Sequence, residues 1–395
     1  MTTIAAIHAD KVLIPFQRPF PTSTGMWLAR EAWIIRLVDA DGRVGVGEAV
    51  LEPADGPTAA TVLDHLVREL AGRRPSDSFP AAQELEQHGS PGRALRAAID
   101  AARHDLRLLS LGAAGSRWGA SGAGGGDGDG SRPGVAVNAT LPSIGPAASA
   151  EAARQAIGVG FTTLKLKAGA ERETAVLVDR VRAVRDAVGP DVRLRLDVNG
   201  AWDLETATDR LDAIARFGLE YVEQPLAGDD AADMAELRRR VRVPIAADET
   251  VDSTRAARRL LDAGAVDALV VKAARVGGLV AAAEIADLAA GRGVPVVVST
   301  LFETGVGIAA GIAIAAALPE VRAGGRLAHA PHHGLATAGL LEHDLLAEGL
   351  VLDGGFLRAP GSTGSGRLGV RVDERALARY AADRAAGPVW EAWDT

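Results

Sequence analysis

Short apolar runs alternate with longer segments of helical spacing from about residue 135 onward. Each run has about the length of a buried strand, roughly five residues. From the second run on, a polar residue closes each run, and the closing residues are spaced 30, 26, 25, 24 and 27 positions apart. This period predicts repeated strand-helix units. The predicted strands lie at 135–139, 163–167, 193–197, 221–223, 244–248, 268–272 and 295–299.

The segments between these runs have the three- and four-residue spacing of amphipathic helices. Residues 171–188 are such a segment, ended by Gly189, and residues 204–217 are another, ended by Gly218. Alternating strands and helices indicate a parallel sheet. So many units of near-constant length favour an α/β fold with a closed (β/α)8 barrel, a modified TIM barrel, over an open doubly wound sheet. We expect the eighth strand within residues 326–333.

The chain before the barrel has a different pattern. Two alternating runs flank Asp39-Ala40-Asp41-Gly42, a turn sequence typical of hairpins, and two helical segments follow. We therefore expect a separate α+β capping domain over residues 1–111, with the C-terminal residues 345–395 packing back on it. The runs lie at 32–38 and 44–49, and the helical segments at 59–70 and 93–109.

Residues 112–134 separate the two predicted domains. They are dense in Gly, Ser and Asp and offer little apolar surface to bury, so we expect a flexible, poorly ordered linker. The catalytic barrel domain then covers residues 135–344.

Composition narrows the class of protein. Of 395 residues, 48% are hydrophobic and 24% charged, which indicates a globular chain. The net charge of -8 argues against a nucleic-acid partner. The longest uncharged apolar stretch, 304–319, is shorter than the roughly 18 residues of a membrane span, and no cysteine is present. We expect a cytoplasmic protein with a small-molecule partner, and leave a homo-oligomer open.

Lysine is rare in this chain. Of the 43 basic residues, only Lys11, Lys165, Lys167 and Lys272 are lysines. Arginine stays protonated in proteins, whereas lysine can lose its proton, so a position that needs a titratable amine cannot be filled by arginine. Lys11 is read as a chance surface residue, and the other three are candidates for chemistry.

Charged residues close five successive predicted strands. Lys165 and Lys167 are two positions apart, which puts both on one face of their strand, and Lys272 closes a later strand. Between them, strands end in Asp197, Glu223 and Asp248. The active sites of such barrels lie at the carboxyl ends of the strands. The alternatives are helix N-caps or salt-bridge partners for the acids, and structural ion pairs with those acids for the lysines.

Three converging carboxylates repel one another unless a cation neutralises them. An all-oxygen ligand set suits a hard divalent ion, Mg²⁺ first, with Mn²⁺ left open. A metal that binds a substrate carboxylate stabilises the charge that forms when the adjacent carbon loses its proton, and a nearby amine can take that proton. Clustered positive charge favours the neutral amine on at least one lysine. The predicted reaction is proton abstraction next to a carboxylate, giving an enediolate.

The same residues resemble the enolase superfamily and, within it, the muconate-lactonizing subgroup. The resemblance runs from residue 45 to about residue 345 and rests on an ordered set of motifs. The motifs are Gly45-Val46-Gly47-Glu48-Ala49, Lys165-Leu166-Lys167, Leu196-Asp197-Val198-Asn199-Gly200-Ala201-Trp202, Tyr221-Val222-Glu223-Gln224-Pro225-Leu226, Ala246-Ala247-Asp248-Glu249-Thr250, Val271-Lys272 and Gly277-Gly278.

This resemblance implies roles for the strand-end residues. Asp197, Glu223 and Asp248 would hold the metal, and Lys167 and Lys272 would stand on opposite faces of the substrate. The segment 296–310 with 334–337 looks most like the o-succinylbenzoate synthases of menaquinone biosynthesis. Their dehydration would use Lys167 as base and then as acid to the leaving hydroxyl, with Lys272 stabilising the intermediate.

Other members of the subgroup remain alternatives. N-acylamino acid racemases would need both lysines to move protons, and cycloisomerases share similar strand ends. Dipeptide epimerases are disfavoured because the Asp-x-Asp that they carry at the eighth strand has no counterpart in residues 334–337. A mandelate-racemase-like histidine is also missing, since this chain has Ser299 at the seventh strand. A non-catalytic carboxylate-binding barrel is the third reading.

The resemblance implies that the loop 19–27 closes over the substrate. Gly25 is a candidate hinge, and Met26 and Trp27 are candidate apolar lid residues. The alternative is an ordinary hydrophobic loop packed on the edge of the domain. Ser299, Asn199 and the backbone N–H groups near Gly307 are candidate partners of the substrate, the last as a helix N-terminus.

A cluster of histidines has no counterpart in the resemblance. His329, His332 and His333 lie by the proposed eighth strand. A Zn²⁺ site is one reading, and a place at the surface or the mouth of the barrel is the favoured one.

Overall fold

The structure is a computed structural model that describes residues 4–22, 25–71, 82–111, 134–321, 326–327, 329–359, 368, 370–382 and 390–392. All but the last residue of the predicted linker, 112–134, lies outside the described residues.

The N-terminal unit, defined as the described residues up to 111, is an antiparallel sheet with helices on one face. Residues of strand 25–39 alternate between the two faces, as the period of two requires. Trp33, Ile35 and Leu37 pack in one core cluster, and Ala32 and Ile34 pack in another that includes the barrel. Its elements are β1 (Ile4–Pro21), β2 (Gly25–Asp39), β3 (Val44–Ala49), α1 (Gly56–Ala71), α2 (Ala82–Glu86) and α3 (Gly89–Leu111).

The hairpin and both helices predicted in this unit are confirmed. β2 pairs with β3 from Trp33↔Ala49 to Val38↔Val44, around the predicted turn. The helices are each a few residues longer than the segments predicted from spacing. β1 pairs with β2 up to Pro21↔Met26, so the predicted lid is the tip of a long hairpin.

The barrel prediction is also confirmed. A short strand, β4 (Val135–Ala136), precedes the barrel and belongs to a separate antiparallel sheet. The elements of the barrel are β5 (Ala139–Leu141), α4 (Pro146–Gly158), β6 (Thr163–Lys167), α5 (Thr174–Val188), β7 (Arg193–Asp197), α6 (Leu204–Ile214), β8 (Leu219–Glu223), α7 (Ala231–Arg240), β9 (Ile245–Ala247), α8 (Thr254–Asp262), β10 (Ala268–Val271), α9 (Ala273–Val276), α10 (Leu279–Ala290), β11 (Val296–Val298) and α11 (Gly305–Ala316). Its parallel sheet has seven strands in the order β11-β10-β9-β8-β7-β6-β5, and each crossover carries at least one helix.

The eighth barrel position is shorter than a strand in the part of the chain that the structure describes. Two single parallel bridges, Val137↔His333 and Ser299↔Gly334, link the first and last strands of the sheet. The N–H of Gly334 donates to Val298 at 2.8 Å, and the N–H of Asn138 donates to His333 at 2.9 Å. The barrel is therefore closed at the end of the predicted segment 326–333.

The C-terminal residues contact the N-terminal unit. The N–H of Leu13 donates to the carbonyl of Tyr380 at 2.9 Å, and the last described strand pairs with β2. The predicted domain bounds stay a prediction. The remaining elements are β12 (Val351–Asp353), β13 (Phe356–Arg358), α12 (Glu374–Arg379), β14 (Trp390–Ala392) and short 3₁₀ helices at Pro53–Asp55, Ala215–Phe217 and Ala338–Leu340.

None of the helices that the structure describes is both long enough and apolar enough to span a membrane.

Candidate active site

Three carboxylates meet at the carboxyl ends of neighbouring strands. β7 ends at Asp197, β8 ends at Glu223, and Asp248 follows β9 directly. Their exposed fractions are 0%, 1% and 0%. One carboxylate oxygen of each lies within 4.8 Å of the others. This buried all-oxygen set fits a hard divalent cation.

The helix N-cap alternative for these acids is wrong. The N-caps of the three following helices are Asp203, Asp230 and Ser253, each of which lies several residues further on in its loop. The strand-end acids therefore point into the barrel mouth, and other side chains satisfy the helix N-termini.

The three candidate lysines contact the carboxylates. Lys165 Nζ donates to Asp197 and to Glu223, both at 2.8 Å, and Lys167 Nζ donates to Asp197 at 2.7 Å. Across the mouth, Lys272 Nζ donates to Asp248 at 2.6 Å. All three lysines therefore form ion pairs, as expected if their role were structural. They also line a cavity, which a purely structural role does not require.

Burial and neighbouring charge set the protonation of these groups. Burial raises the pKa of Asp197, but the ammonium groups of Lys165 and Lys167 outweigh it and hold that pKa well below its usual range. At Glu223 the charges of Lys165 and Lys272 do not outweigh burial. Burial and the charge of Asp197 therefore raise the pKa of Glu223 to about 8. Like charges in a buried site cannot all ionise freely.

Carboxylate neighbours raise the pKa of two lysines, Lys165 and Lys272. Burial lowers the pKa of Lys165, but the carboxylates of Asp197 and Glu223 outweigh it and raise the pKa well above its ordinary value. For Lys272, burial and Arg275 lower the pKa, and the carboxylate of Asp248 more than offsets them. The nearest partners of these two lysines are carboxylates, which favour the ammonium form, whereas the expected neutral amine depends also on the positive charge of a bound cation.

A cavity of about 250 Å³ lies above the three acids. Lys167 ends β6 and Lys272 follows β10 directly. These two strands are four positions apart in an eight-position barrel, so the two lysines face each other across the cavity. The cavity is lined by Thr22, Trp27, Glu52, Pro53, Thr140, Lys165, Lys167, Asn199, Glu249, Lys272, Ser299, Thr300, Leu301, Phe302, Gly334 and Thr337.

The predicted substrate contacts divide into two groups. Ser299 and Asn199 line the cavity, whereas Gly25 and Met26, within the described part of the hairpin tip, do not. Their neighbour Trp27 does. Asn199 also accepts a hydrogen bond from Lys167 Nζ at 3.1 Å, which links it to the lysine pair. All of these substrate contacts stay predictions.

The predicted anion site at Gly307 is wrong. The N–H of Gly307 donates to the carboxylate of Glu48 at 2.9 Å, and the N–H of Thr304 donates to the same group at 3.0 Å. The helix N-terminus does bind an anion, but the anion is a side chain of the N-terminal unit.

The predicted place of the histidines at the surface or the mouth holds for His329, which is exposed, but not for His332 and His333. His332 contacts Thr163 and Arg193, the first residues of β6 and β7, so it lies at the amino end of the barrel. His333 is buried and its Nδ1 accepts from the Val298 N–H at 3.1 Å. Among the described residues, Asp197, Glu223 and Asp248 form the one group of three side chains spaced for a metal.

Three charged residues near the site were not predicted. Glu249 accepts from Asn199 Nδ2 at 3.0 Å, and Arg275 donates to Glu52 at 2.7 Å and also contacts Asp248. Glu249 directly follows the metal-ligand candidate Asp248, and Arg275 is three residues after Lys272. Their positions in the sequence could therefore have indicated that both lie near the site. Glu52 comes from the N-terminal unit, and no local pattern indicates its contact.

Family comparisons cover most of the chain. Residues 148–376 match the family described as enolase C-terminal domain-like. Residues 5–113 match the mandelate racemase / muconate lactonizing enzyme N-terminal domain.

Individual relatives agree with this match. An o-succinylbenzoate synthase from Thermobifida fusca is 46% identical over 261 residues, 65% of this chain and 73% of the relative. Another from Geobacillus stearothermophilus is 33% identical over 95% of this chain and 96% of the relative. The muconate lactonizing enzyme of Pseudomonas fluorescens, solved with muconolactone, superposes with a TM-score of 0.80 at 26% identity, covering 96% and 100% of the two chains.

Proposed function

The chain belongs to the mandelate racemase and muconate lactonizing enzyme family of the enolase superfamily, and from that premise we propose that it is a carbon-oxygen lyase that forms o-succinylbenzoate. The observation that carries the proposal is the opposed pair Lys167 and Lys272 beside a buried carboxylate triad. The two relatives above, both named o-succinylbenzoate synthase, support the choice of product.

Lys167 is the proposed acid and base. As a neutral amine, its Nζ takes the proton from the carbon next to the substrate carboxylate, and the electron pair delocalises as an enediolate. The Lys167 ammonium then returns that proton to the hydroxyl group on the neighbouring carbon. The C–O bond breaks, water leaves, the ring becomes aromatic, and the amine is regenerated.

Lys272 stabilises the intermediate from the opposite face. Its ammonium brings positive charge against the enediolate without moving a proton. The ion pair with Asp248 holds its Nζ at the edge of the cavity. Lys165 contacts two of the three acids and lowers their mutual repulsion.

Asp197, Glu223 and Asp248 are the proposed ligands of Mg²⁺. The ion, when bound, supplies positive charge that neutralises the substrate carboxylate and makes the adjacent carbon more acidic. The residues fit this role because the triad is buried and offers only oxygen ligands.

Racemization of an N-acylamino acid is the second candidate. The same opposed lysines favour it, since removing a proton on one face and returning it on the other needs one amine on each face. The two reactions differ in the role of Lys272, which transfers a proton only in the racemase.

The experiment follows dehydration of the cyclohexadiene carboxylate precursor by purified protein with Mg²⁺. We expect Lys167→Ala to lower kcat by at least about a hundredfold, the usual size of a lost acid-base group, and Lys272→Ala to lower it strongly as well. Lys11→Ala is the matched control, because Lys11 pairs with Glu31 on the N-terminal sheet away from the cavity.

N-succinyl amino acids in heavy water give the second arm of this experiment. If deuterium enters the amino acid from both faces and the precursor is not dehydrated, the protein is a racemase and the proposed lyase activity is wrong. Full dehydration by Lys167→Ala would contradict the proposed mechanism for either reaction.

A further inference from the structure

One wall of the cavity is an irregular loop. Four successive residues, 299–302, line it between β11 and α11. Phe302 has a φ of 61°, in the left-handed region that a residue with a bulky side chain rarely adopts. Such a conformation persists only where the surroundings hold it.

The loop is held at its end by Glu48, a residue of the N-terminal unit. The Glu48 carboxylate accepts from the Thr304 N–H at 3.0 Å, from the Thr304 hydroxyl at 2.7 Å and from the Gly307 N–H at 2.9 Å. It therefore occupies the positive N-terminal end of α11, where backbone N–H groups lack helical partners. Glu48 is 4% exposed, so water does not compete for these donors.

The backbone around Glu48 is closely packed. A Cβ atom on Gly47 would lie 1.9 Å from the Ala98 carbonyl oxygen, so β3 lies directly on α3. On the other side, a Cβ atom on Gly307 would lie 2.7 Å from Glu303 and 3.0 Å from Glu48 Oε2. Both glycines permit an approach that any other residue would block.

Aromatic packing holds the same loop from a second direction. The Phe302 ring lies 5.5 Å from Phe16, 5.4 Å from Phe20 and 5.8 Å from Trp27, measured between centroids. All three partners belong to the β1–β2 hairpin of the N-terminal unit. The residues of this cavity wall belong to the barrel, and side chains of the N-terminal unit hold them in place.

We propose that Glu48 is a positioning residue for substrate binding, which acts through Thr304 and Gly307 on the wall formed by 299–302. This proposal rests on the proposed function and deepens it. The lysines and the acid triad stand on other strands, so loss of Glu48 changes substrate affinity more than the chemical step.

The test compares Glu48→Gln and Glu48→Ala in the full-length protein with Mg²⁺. We expect KM to rise about tenfold in Glu48→Gln and more in Glu48→Ala, with kcat within about threefold of wild type. Glutamine keeps one acceptor oxygen and places an amide N–H₂ against donors, so it is the intermediate case. The matched control is Asp203→Ala, which removes an acidic cap from α6, where Asp203 accepts from the Thr206 N–H at 2.7 Å.

A second readout does not depend on activity. Amide hydrogen exchange at Leu301, Phe302 and Thr304 is expected to accelerate about tenfold or more in Glu48→Gln and to stay unchanged in Asp203→Ala. Unchanged KM in folded Glu48→Gln, or unchanged exchange in the loop, would overturn the positioning role. If wild type does not dehydrate the substrate, the proposed function fails, and the exchange experiment still decides the role of Glu48.

Discussion

Buried carboxylates around the cavity differ in charge because their neighbours differ. The pKa of Asp248 is held well below its usual range, since Arg275 and Lys272 outweigh the effect of burial. Glu303 has the Glu48 carboxylate beside it, and the nearby cation Arg30 does not offset that charge and burial. Burial and this like charge raise the pKa of Glu303 to about 7. Residue type alone therefore does not set the charge of an acid in this molecule.

Glu303 is expected to make stability depend on pH. Its folded pKa of about 7 exceeds the ordinary 4.5, so the folded state binds the proton more tightly. The favourable contribution is complete below about 4.5 and is lost as pH rises through 7, at a cost of roughly 3 kcal/mol. Urea unfolding at pH 5 to 8 should show a smaller decrease for Glu303→Gln than for wild type.

The exposed Glu320→Gln is the control for Glu303→Gln. It should keep the wild-type dependence on pH. Equal slopes in all three proteins would show that Glu303 is already ionised at neutral pH.

At the scale of elements, closure of the barrel depends on a close approach. Gly334 pairs with Ser299 in one of the two bridges that close the sheet. A Cβ atom on Gly334 would lie 2.6 Å from Ser299 Oγ, and both residues line the cavity. The contact between Gly334 and Ser299 therefore both helps to close the barrel and shapes the cavity.

Gly334→Ala is expected to lower the free energy of unfolding by about 1–3 kcal/mol, the usual cost of overpacking, and to raise KM. Chemical denaturation and steady-state kinetics measure the two effects. Gly339→Ala is the matched control, since no atom lies within 4 Å of the position of its Cβ. It should stay within about 0.5 kcal/mol of wild type. A tolerated Gly334→Ala would show that the closing segment shifts freely.

At the scale of the whole molecule, the site joins two units. The barrel contributes the acids and lysines, and the N-terminal unit contributes Trp27 and Glu52 to the cavity wall. The proposed Mg²⁺ ligands, the acid triad, belong to the barrel. A ligand that binds only the folded state stabilises it by mass action.

Mg²⁺ is therefore expected to raise the free energy of unfolding by about 2.7 kcal/mol at a hundred times its dissociation constant. Thermal unfolding with increasing Mg²⁺ measures this. Asp197→Asn should abolish the increase, because it removes a ligand charge from the triad. Asp203→Asn, the same substitution six residues later at a helix N-cap, should keep it. Equal stabilisation of both variants would place the metal elsewhere.

Much of the fold could be predicted because its signals are local. β6 and β7 begin and end where the sequence predicts, since in both strands leucines alternate with charged residues and a charged residue closes the strand. The closing segment at 333–334 was harder, because two single bridges leave no periodic pattern in the sequence. The place of His332 at the amino end of the barrel was not predicted, because it depends on contacts with Thr163 and Arg193, which are distant in sequence.

The sequence by itself determined the α/β barrel, the acid triad and the lysine pair. Alternation of apolar runs sets the strands, and parallel strands bring their carboxyl ends to one edge whatever the loops do. Only the tertiary structure decided what surrounds these groups. The raised pKa of Lys165, the anion at the start of α11 and the wall against Phe302 all depend on residues brought together from distant parts of the chain. Charge and packing act through distance in space, and that distance is set by the folded chain.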